Sequence, residues 1–343
     1  MRKILLSVVI ATFSVLLIAC NDNSADEMSN SNEEDGKKQK EPISLDWSTG
    51  AQGGVWYGAG GGFSTIIKEY NDNIDIKALP GGTIQNIAMT DNGETELTWN
   101  MSYFANLGLQ GEDPFDEKFD NIRAVGNGFG DSTFHFVIDA NHEYEDLEDI
   151  FEKGDIKIAL TPPSQSDDFI FQEMMDHYDT SYDEMEENGV SFFQGDYTEQ
   201  AEQFKNGNVD AIFALSGLPG SSITDASIDR ELKILEFPDD LIEFLEERTF
   251  EERIIPADTY EQAANGDEDI KTVTASNLLL ANKDLPDEVV YDMLQALNED
   301  TDQLESVHAA MEYYDIDKAT DNLGDVELHP GAVEFYKEEG VLE

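Results

Sequence analysis

The sequence predicts an α/β body built as two units around a cleft, with a mostly parallel sheet. Three observations predict it. Short alternating apolar runs take turns with helical periodicities from Ile43 onward. Glycine, proline and hydroxyl residues gather where strands hand over to helices. A second strand–helix series begins near Ala140, and a late strand, Thr272 to Ala281, returns to the first unit. Two crossings between two units leave a cleft, and ligands of open α/β sheets sit beyond the carboxyl ends of the strands.

The elements follow in order. Ile43 to Thr49 alternates as a strand, and Val55 to Tyr70 carries a helical stripe through Phe63, Ile66, Ile67 and Tyr70. Ile74 to Ala78 reads as a strand, Ile84 to Met89 as a helix, Glu96 to Asn100 as a strand and Met101 to Leu109 as a helix. Two further strands are expected at Ile122–Phe129 and Thr133–Ile138. In the second unit, helices are expected at 144–151, 167–178 and 198–206, and strands at 156–160, 190–193 and 209–215. Helices at 287–300 and 303–313 close the chain. The chain carries no internal repeat.

Composition narrows the function. Of 343 residues, 75 are Asp or Glu and 20 are Lys or Arg, a formal net charge of −55. Phosphate backbones repel such a surface, so nucleic acid is excluded as a partner. A single cysteine excludes a disulfide scaffold. With 40% apolar and 10% aromatic residues, the chain can bury a core. The excess of acid over base points to a salty milieu. At molar salt the Debye length falls to roughly 3 Å and the self-repulsion is screened. The acids are scattered and complete no calcium loop, so no metal is expected.

The amino terminus locates the protein. Met1-Arg2-Lys3 is a short basic region, and Ile4 to Ile18 is mostly apolar, too short for a membrane span but suited to a signal peptide. Leu17-Ile18-Ala19-Cys20 resembles a bacterial lipobox, with cleavage before Cys20 and a lipid on its sulfur. Residues 21–41 have nothing to pack and read as a tether. The expected organisation is a signal peptide at 1–19, a lipidated tether at 20–42, lobe 1 at 43–135 and 282–343, and lobe 2 at 136–281. Contact with the membrane is expected through the lipid alone, outside the cytoplasm.

Strand-end turns supply the candidate contacts. Thr49-Gly50-Ala51-Gln52-Gly53-Gly54-Val55-Trp56-Tyr57 joins a strand to a helix. Its glycines permit close backbone approach, and the helix start offers N–H groups to an anion. An ordinary tight turn is the alternative. Glycines 58, 60, 61 and 62 are expected to let the helix pack closely. In Pro80-Gly81-Gly82-Thr83-Ile84-Gln85-Asn86, Thr83 can cap the helix, with Asn86 one turn in. Trp99-Asn100-Met101-Ser102 ends a strand and offers Asn100 as a polar contact. Thr161 to Asp167 forms the facing turn of the second unit, with Ser164, Gln165 and Ser166 toward the solute. Asp167 and Asp168 there fit a capping role and would repel an anion that they faced. Gly217 lies in a further strand-end turn, and His329 reads as structural. Enzyme signatures are absent: there is no Gly-x-Ser-x-Gly elbow, and His142-Glu143 lacks the second histidine of a zinc helix. No cofactor is called for.

Taken together, these motifs resemble the TAXI family, the solute-binding subunits of one branch of TRAP transporters. The resemblance rests on Thr49 to Tyr57, Gly82-Thr83-Ile84-Gln85-Asn86-Ile87, Gly207 to Phe213, Ile255-Pro256 with Tyr260, and Leu328-His329-Pro330-Gly331-Ala332 followed by Tyr336 and Gly340. It implies a type II periplasmic-binding-protein fold, with two α/β lobes around a ligand cleft. It further implies a non-catalytic receptor that captures a small organic acid or amino acid, of the glutamate or 2-oxoglutarate type, and delivers it to an ion-driven TRAP permease. The alternatives are a solute-binding protein of an ABC importer or signalling receptor, and a surface interaction protein without a small-molecule ligand. Thr49, Gly53, Gly54, Trp56, Tyr57, Thr83, Asn86, Asn100 and Gly217 would contact the solute. In the second-lobe turn Ser164, Gln165 and Ser166 depart from the family's Gly-Ser-Gly, which unsettles ligand identity. The four arginines of the body, Arg123, Arg230, Arg248 and Arg253, fall outside the motifs.

Overall fold

In the computed structural model, the described residues are 42–50, 55–163, 165–299, 301–308, 311 and 314–343. Cys20, Gly53, Gly54 and Ser164 therefore lie outside the described residues. Residues 41–343 form one compact unit that carries its own cores.

Ten strands make one continuous sheet. Its main path runs β2-β1-β3-β10-β4-β7-β5-β6, with β8 on β4 and β9 on β10. The strands are β1 (Ile43–Ser48), β2 (Ile74–Leu79), β3 (Leu97–Met101), β4 (Ile122–Asp139), β5 (Lys157–Leu160), β6 (Ser191–Gln194), β7 (Ala211–Ser216), β8 (Leu232–Ile234), β9 (Phe250–Ile255) and β10 (Ile270–Asn282). The sheet is mixed, which corrects the mostly parallel expectation. β1–β2, β1–β3, β5–β6 and β5–β7 are parallel, whereas β4 and β10 run antiparallel to each other and to every other strand that they pair. Parallel pairing belongs to the strand–helix–strand units on either side, and the two crossings between them run against it.

β4 and β10 are the connection between the halves. Residues 122–133 of β4 pair with β10, and residues 133–139 pair with β7 and β8. β10 pairs with β9 up to Ala275 and with β3 from Asn277, with a register shift between Ser276 and Leu278. The two expected strands of β4 are thus one. Gly126, Gly128 and Gly130 let it bend without ending. From Val273 to Ala281, β10 is almost wholly buried. The strand is covered on both faces there, and it reads as an unbroken apolar run from Leu278 to Ala281.

Helices clothe both halves. On one face of the first half, α1 (Val55–Tyr70), α10 (Asp287–Glu299) and α12 (Pro330–Glu338) bury Phe63, Val290, Leu294 and Phe335 against Trp47, Trp99 and Leu279. Gly60 and Gly62 serve this closeness. A Cβ at Gly60 would lie 2.6 Å from Thr49 Cγ2, and one at Gly62 2.5 Å from Val307 Cγ1. Gly58 and Gly61 face nothing within 4 Å, so the packing expected of all four belongs to two. The other face carries α2 (Thr83–Asp91) and α3 (Ser102–Gln110). Its core continues into the second half, where α5 (Ser166–His177) and α9 (Asp239–Glu246) pack on Phe136 and Phe213. A third core lies beneath α7 (Tyr197–Lys205) and α8 (Ser221–Ala226). The remaining helices are α4 (Leu147–Lys153), α6 (Tyr182–Glu187) and α11 (Thr301–Val307), followed by a 3-10 turn at Ile316–Lys318.

Candidate functional site

In the first half the structure brings the strand-end residues together. Thr49 follows β1, and its N–H and Oγ1 both donate to Leu79 O, at 2.9 and 2.8 Å. Asn86 uses both ends of its amide. Nδ2 donates to Thr49 O at 2.8 Å, and Oδ1 accepts from Gly82 N at 3.1 Å. Gly82, not Thr83, is the N-cap of α2, and no side chain of the cap residue bonds the first turn. Asn86 has taken over that work by reaching back, which corrects the expected Thr83 cap.

Asn100 Nδ2 donates to Thr83 O at 2.6 Å. A carbonyl only accepts, so the amide orientation is settled. Asn100 Oδ1 is then a buried acceptor with no partner among the described residues. Thr161 Oγ1, at the end of β5, is in the same position. Trp56 packs edge-on against Trp99 at 5.5 Å. Its indole presses on Gly130 of β4, where a Cβ would collide with the ring and where φ is +131°. Tyr57 is half-buried beside it.

In the second half the expected anion site is filled by the chain itself. Gln165 is the N-cap of α5 but makes no side-chain cap bond, and Ser166 Oγ donates to Asp167 Oδ1 at 3.2 Å. Asp167 Oδ2 accepts from Tyr197 OH at 2.8 Å and from Leu215 N at 3.1 Å. Asp168 accepts from Tyr182 OH at 2.6 Å and from Gln172 Nε2 at 2.9 Å. Burial pushes the Asp167 carboxyl up to about 6, against the pull of those donors. The bond to Leu215 N brings the end of β7, and with it half-buried Gly217, beside the α5 turn. A negative carboxylate at the start of α5 already answers the helix dipole.

A buried network stands behind that turn. Thr133 O only accepts, so His135 Nδ1 donates to it at 3.0 Å. In the neutral ring Nε2 then accepts from Tyr260 OH at 2.7 Å, and the Tyr260 oxygen accepts from Gly220 N, also at 2.7 Å. The imidazole is neutral in this arrangement, and burial lowers its pKa to about 4. His329 is structural as expected: it caps α12, its Nδ1 accepting from Gly331 N at 3.2 Å.

Between the halves, a cavity of about 110 Å³ opens where β4, β9 and β10 meet. Asn127 and Gly130 of β4, Glu251 and Arg253 of β9, and Ser276 and Asn277 of β10 line it, with Asp315 and Lys318 from the carboxyl-terminal segment. Glu251 accepts from Ser276 Oγ, and Asn277 Nδ2 donates to Gly130 O at 3.2 Å. None of these residues was expected from sequence. The legible signal was the glycine alternation at 126, 128 and 130, which marks a bend in a strand. A larger cavity, about 610 Å³, is lined by Asp91, Glu96, Asn121 and Lys283. It sits at the amino end of β3, opposite the end where open α/β sheets hold ligands. The smaller cavity, which shares Gly130 with Trp56, is the better candidate. Among the described residues, no three His, Cys, Asp or Glu side chains are placed to hold a metal.

The curled, mixed sheet with its two lobes is the fold of periplasmic solute-binding proteins. MatC from Rhodopseudomonas palustris, solved with bound malate, superposes with a TM-score of 0.51 at 12% identity, over 88% of this chain and all of that one. A TctC solute-binding protein from Polaromonas gives 0.49 at 14% identity over 80% and 88%. The probable amino-acid ABC transporter binding protein ytmK of Bacillus subtilis gives 0.48 at 10% identity over 80% and 98%. At 12% identity the likeness to MatC is one of fold. The sequence profile of the NMT1-like family matches residues 47–340, and the chain belongs to that family.

Proposed function

We propose that this protein is an extracytoplasmic receptor, held to the membrane by a lipid on Cys20. It captures a small organic acid or amino acid and hands it to an ion-gradient-driven TRAP permease. The observation that carries this reading is the polar cavity at the β4–β10 crossing, beside which the ends of β3 and β7 pair with β10 and β4. The lobes, with the boundaries expected from sequence, would close on a solute there as hinge proteins do.

The geometry favours a division of labour. Arg253 and Lys318 supply the positive charge that the strand-end motifs lack. The solute's carboxylate would sit toward them, away from the self-filled start of α5. Where the solute is an amino acid, Asn100 Oδ1 and Thr161 Oγ1 would accept from its ammonium, and Thr49, Gly53, Gly54, Trp56 and Tyr57 would form one wall. Thr83 and Asn86 would shape the first-lobe turn. Ser164, Gln165, Ser166 and Gly217 would close from the second lobe. The motif resemblance supports the TRAP partner, and the malate held by MatC is an acid of similar size.

The test is thermal unfolding of residues 41–343 in molar salt with a panel of small acids and amino acids. A solute at 100 times its Kd stabilises by about 2.7 kcal/mol. A saturable rise in Tm with glutamate or 2-oxoglutarate is expected. A flat response across the panel would remove these acids as the solute.

A further inference from the structure

The helices that follow the two strand-end turns, α3 and α5, are joined by a side-chain bridge. Tyr103 of α3 donates its hydroxyl to Glu173 Oε1 of α5, and Arg248 Nε donates to Glu173 Oε2 at 2.6 Å. Arg248 is itself fixed, lying 3.6 Å over the Phe244 ring and donating to Phe244 O at 3.0 Å. The Tyr103 ring packs against Phe104 at 5.0 Å and against Phe250 at 5.2 Å. Phe104 in turn meets Phe169 of α5 edge-on at 5.9 Å. One carboxylate is therefore held from its own half by Arg248 and from the other half by Tyr103.

A second observation marks the same place. Thr249, between Arg248 and Phe250, has φ +68°. A β-branched residue adopts that conformation only when its surroundings force it, and such strain gathers at clamps and switches. Thr249 Oγ1 is buried with no partner among the described residues.

The choice of a tyrosine also fits the charge. With a net charge of −55, the two halves repel each other unless salt screens them. At a Debye length of roughly 3 Å, attraction between separated charges is lost as well. A hydroxyl donating to a carboxylate acts by contact and survives screening. Burial and the neighbouring Glu173 raise the Tyr103 pKa, so the hydroxyl keeps the proton that it donates.

We propose that Tyr103 and Glu173 form the catch that holds the two lobes closed, Tyr103 acting as a positioning residue for solute capture. Its purpose rests on the receptor reading, but its effect on lobe separation is measurable with no solute present.

Residues 41–343 contain no cysteine, since the one in the chain is Cys20. Spin labels at Glu69→Cys on α1 and Glu202→Cys on α7, both exposed, report the separation by dipolar spectroscopy in molar salt. The unsubstituted catch should give mainly the short distance. Tyr103→Phe and Glu173→Leu should each shift the population toward a longer distance by about tenfold, equivalent to about 1.4 kcal/mol. The double variant should shift it no further, because only the Tyr103 bond crosses between the halves, the Arg248 bond that Glu173→Leu also removes lying within one half. A Tyr103 that merely stabilises the core would lower the unfolding midpoint and leave the distances unmoved, which overturns the proposal. So does a long distance dominating with the catch intact. Glu173→Leu leaves the Tyr103 ring in place and decides the matter if Tyr103→Phe does not fold. A solute-free shift stands even if no acid in the thermal panel binds, so the two readings fail separately.

Discussion

Two buried ionisable side chains pull the acid stability of this protein in opposite directions. His135, lowered from 6.5 to about 4, stays neutral in the fold while the unfolded chain takes up its proton. Its contribution is present above pH 6.5 and is lost as pH falls through about 4, some 3 kcal/mol at roughly 1.4 kcal/mol per unit. Asp167, raised from 3.8 to about 6, binds its proton first in the fold. Its contribution is present below pH 3.8 and is lost as pH rises through about 6, again about 3 kcal/mol. In the unsubstituted protein the two nearly cancel between pH 6 and 4, so Asp167→Asn should reveal a loss of stability as pH falls through that window and His135→Gln a gain. Urea titrations across that window measure both. At Gly130, alanine meets the Trp56 indole at φ +131°. Gly130→Ala should cost about 1–3 kcal/mol from the backbone alone. It should also displace Trp56 from Trp99, which tryptophan fluorescence reports.

At the scale of elements, Asn86 and Asp196 show how short helices are pinned. Asn86 closes α2 onto β1 through Thr49 O and Gly82 N. Asn86→Ala strands buried polar groups and should cost about 1–3 kcal/mol in thermal unfolding. Asp196 heads α7 in a capping box with Glu199, so Asp196→Ala should cost about 1 kcal/mol. Sequence patterning was enough to place α1, α3, α7 and β2, which have one buried stripe or face, and β3, β5 and β7, which are short runs buried almost throughout. It was not enough for α6, α8, α9 or β9. Those are short, and their pattern is set by tertiary partners: Phe250 is buried by Tyr103 and Phe134, both distant in the chain. The long β4 read as two strands because its glycines look like punctuation. The cavity between the halves was illegible for a different reason. Glu251, Arg253, Ser276 and Lys318 come from three separate segments, and no local spacing brings them together. The first-lobe turns were legible because Thr49, Gly82 and Asn86 carry their geometry within a few residues of a strand end.

For the whole molecule, charge and cleft are the governing features. The chain's net charge of −55, nearly all of it on the compact unit, predicts that Tm rises steeply with salt until the Debye length is shorter than the spacing between carboxylates. A scan from low to molar sodium chloride should show it, and a flat profile would argue against adaptation to a salty milieu. On the proposed reading the crossing of β4 and β10 holds a small acid. The measurement to make is calorimetric titration of glutamate and 2-oxoglutarate into residues 41–343 in molar salt, alongside Arg253→Ala. Saturable binding with one site per chain is expected, weakened about tenfold or more without the Arg253 guanidinium. Equal binding by Arg253→Ala, or no saturable binding of either acid, would rule that site out.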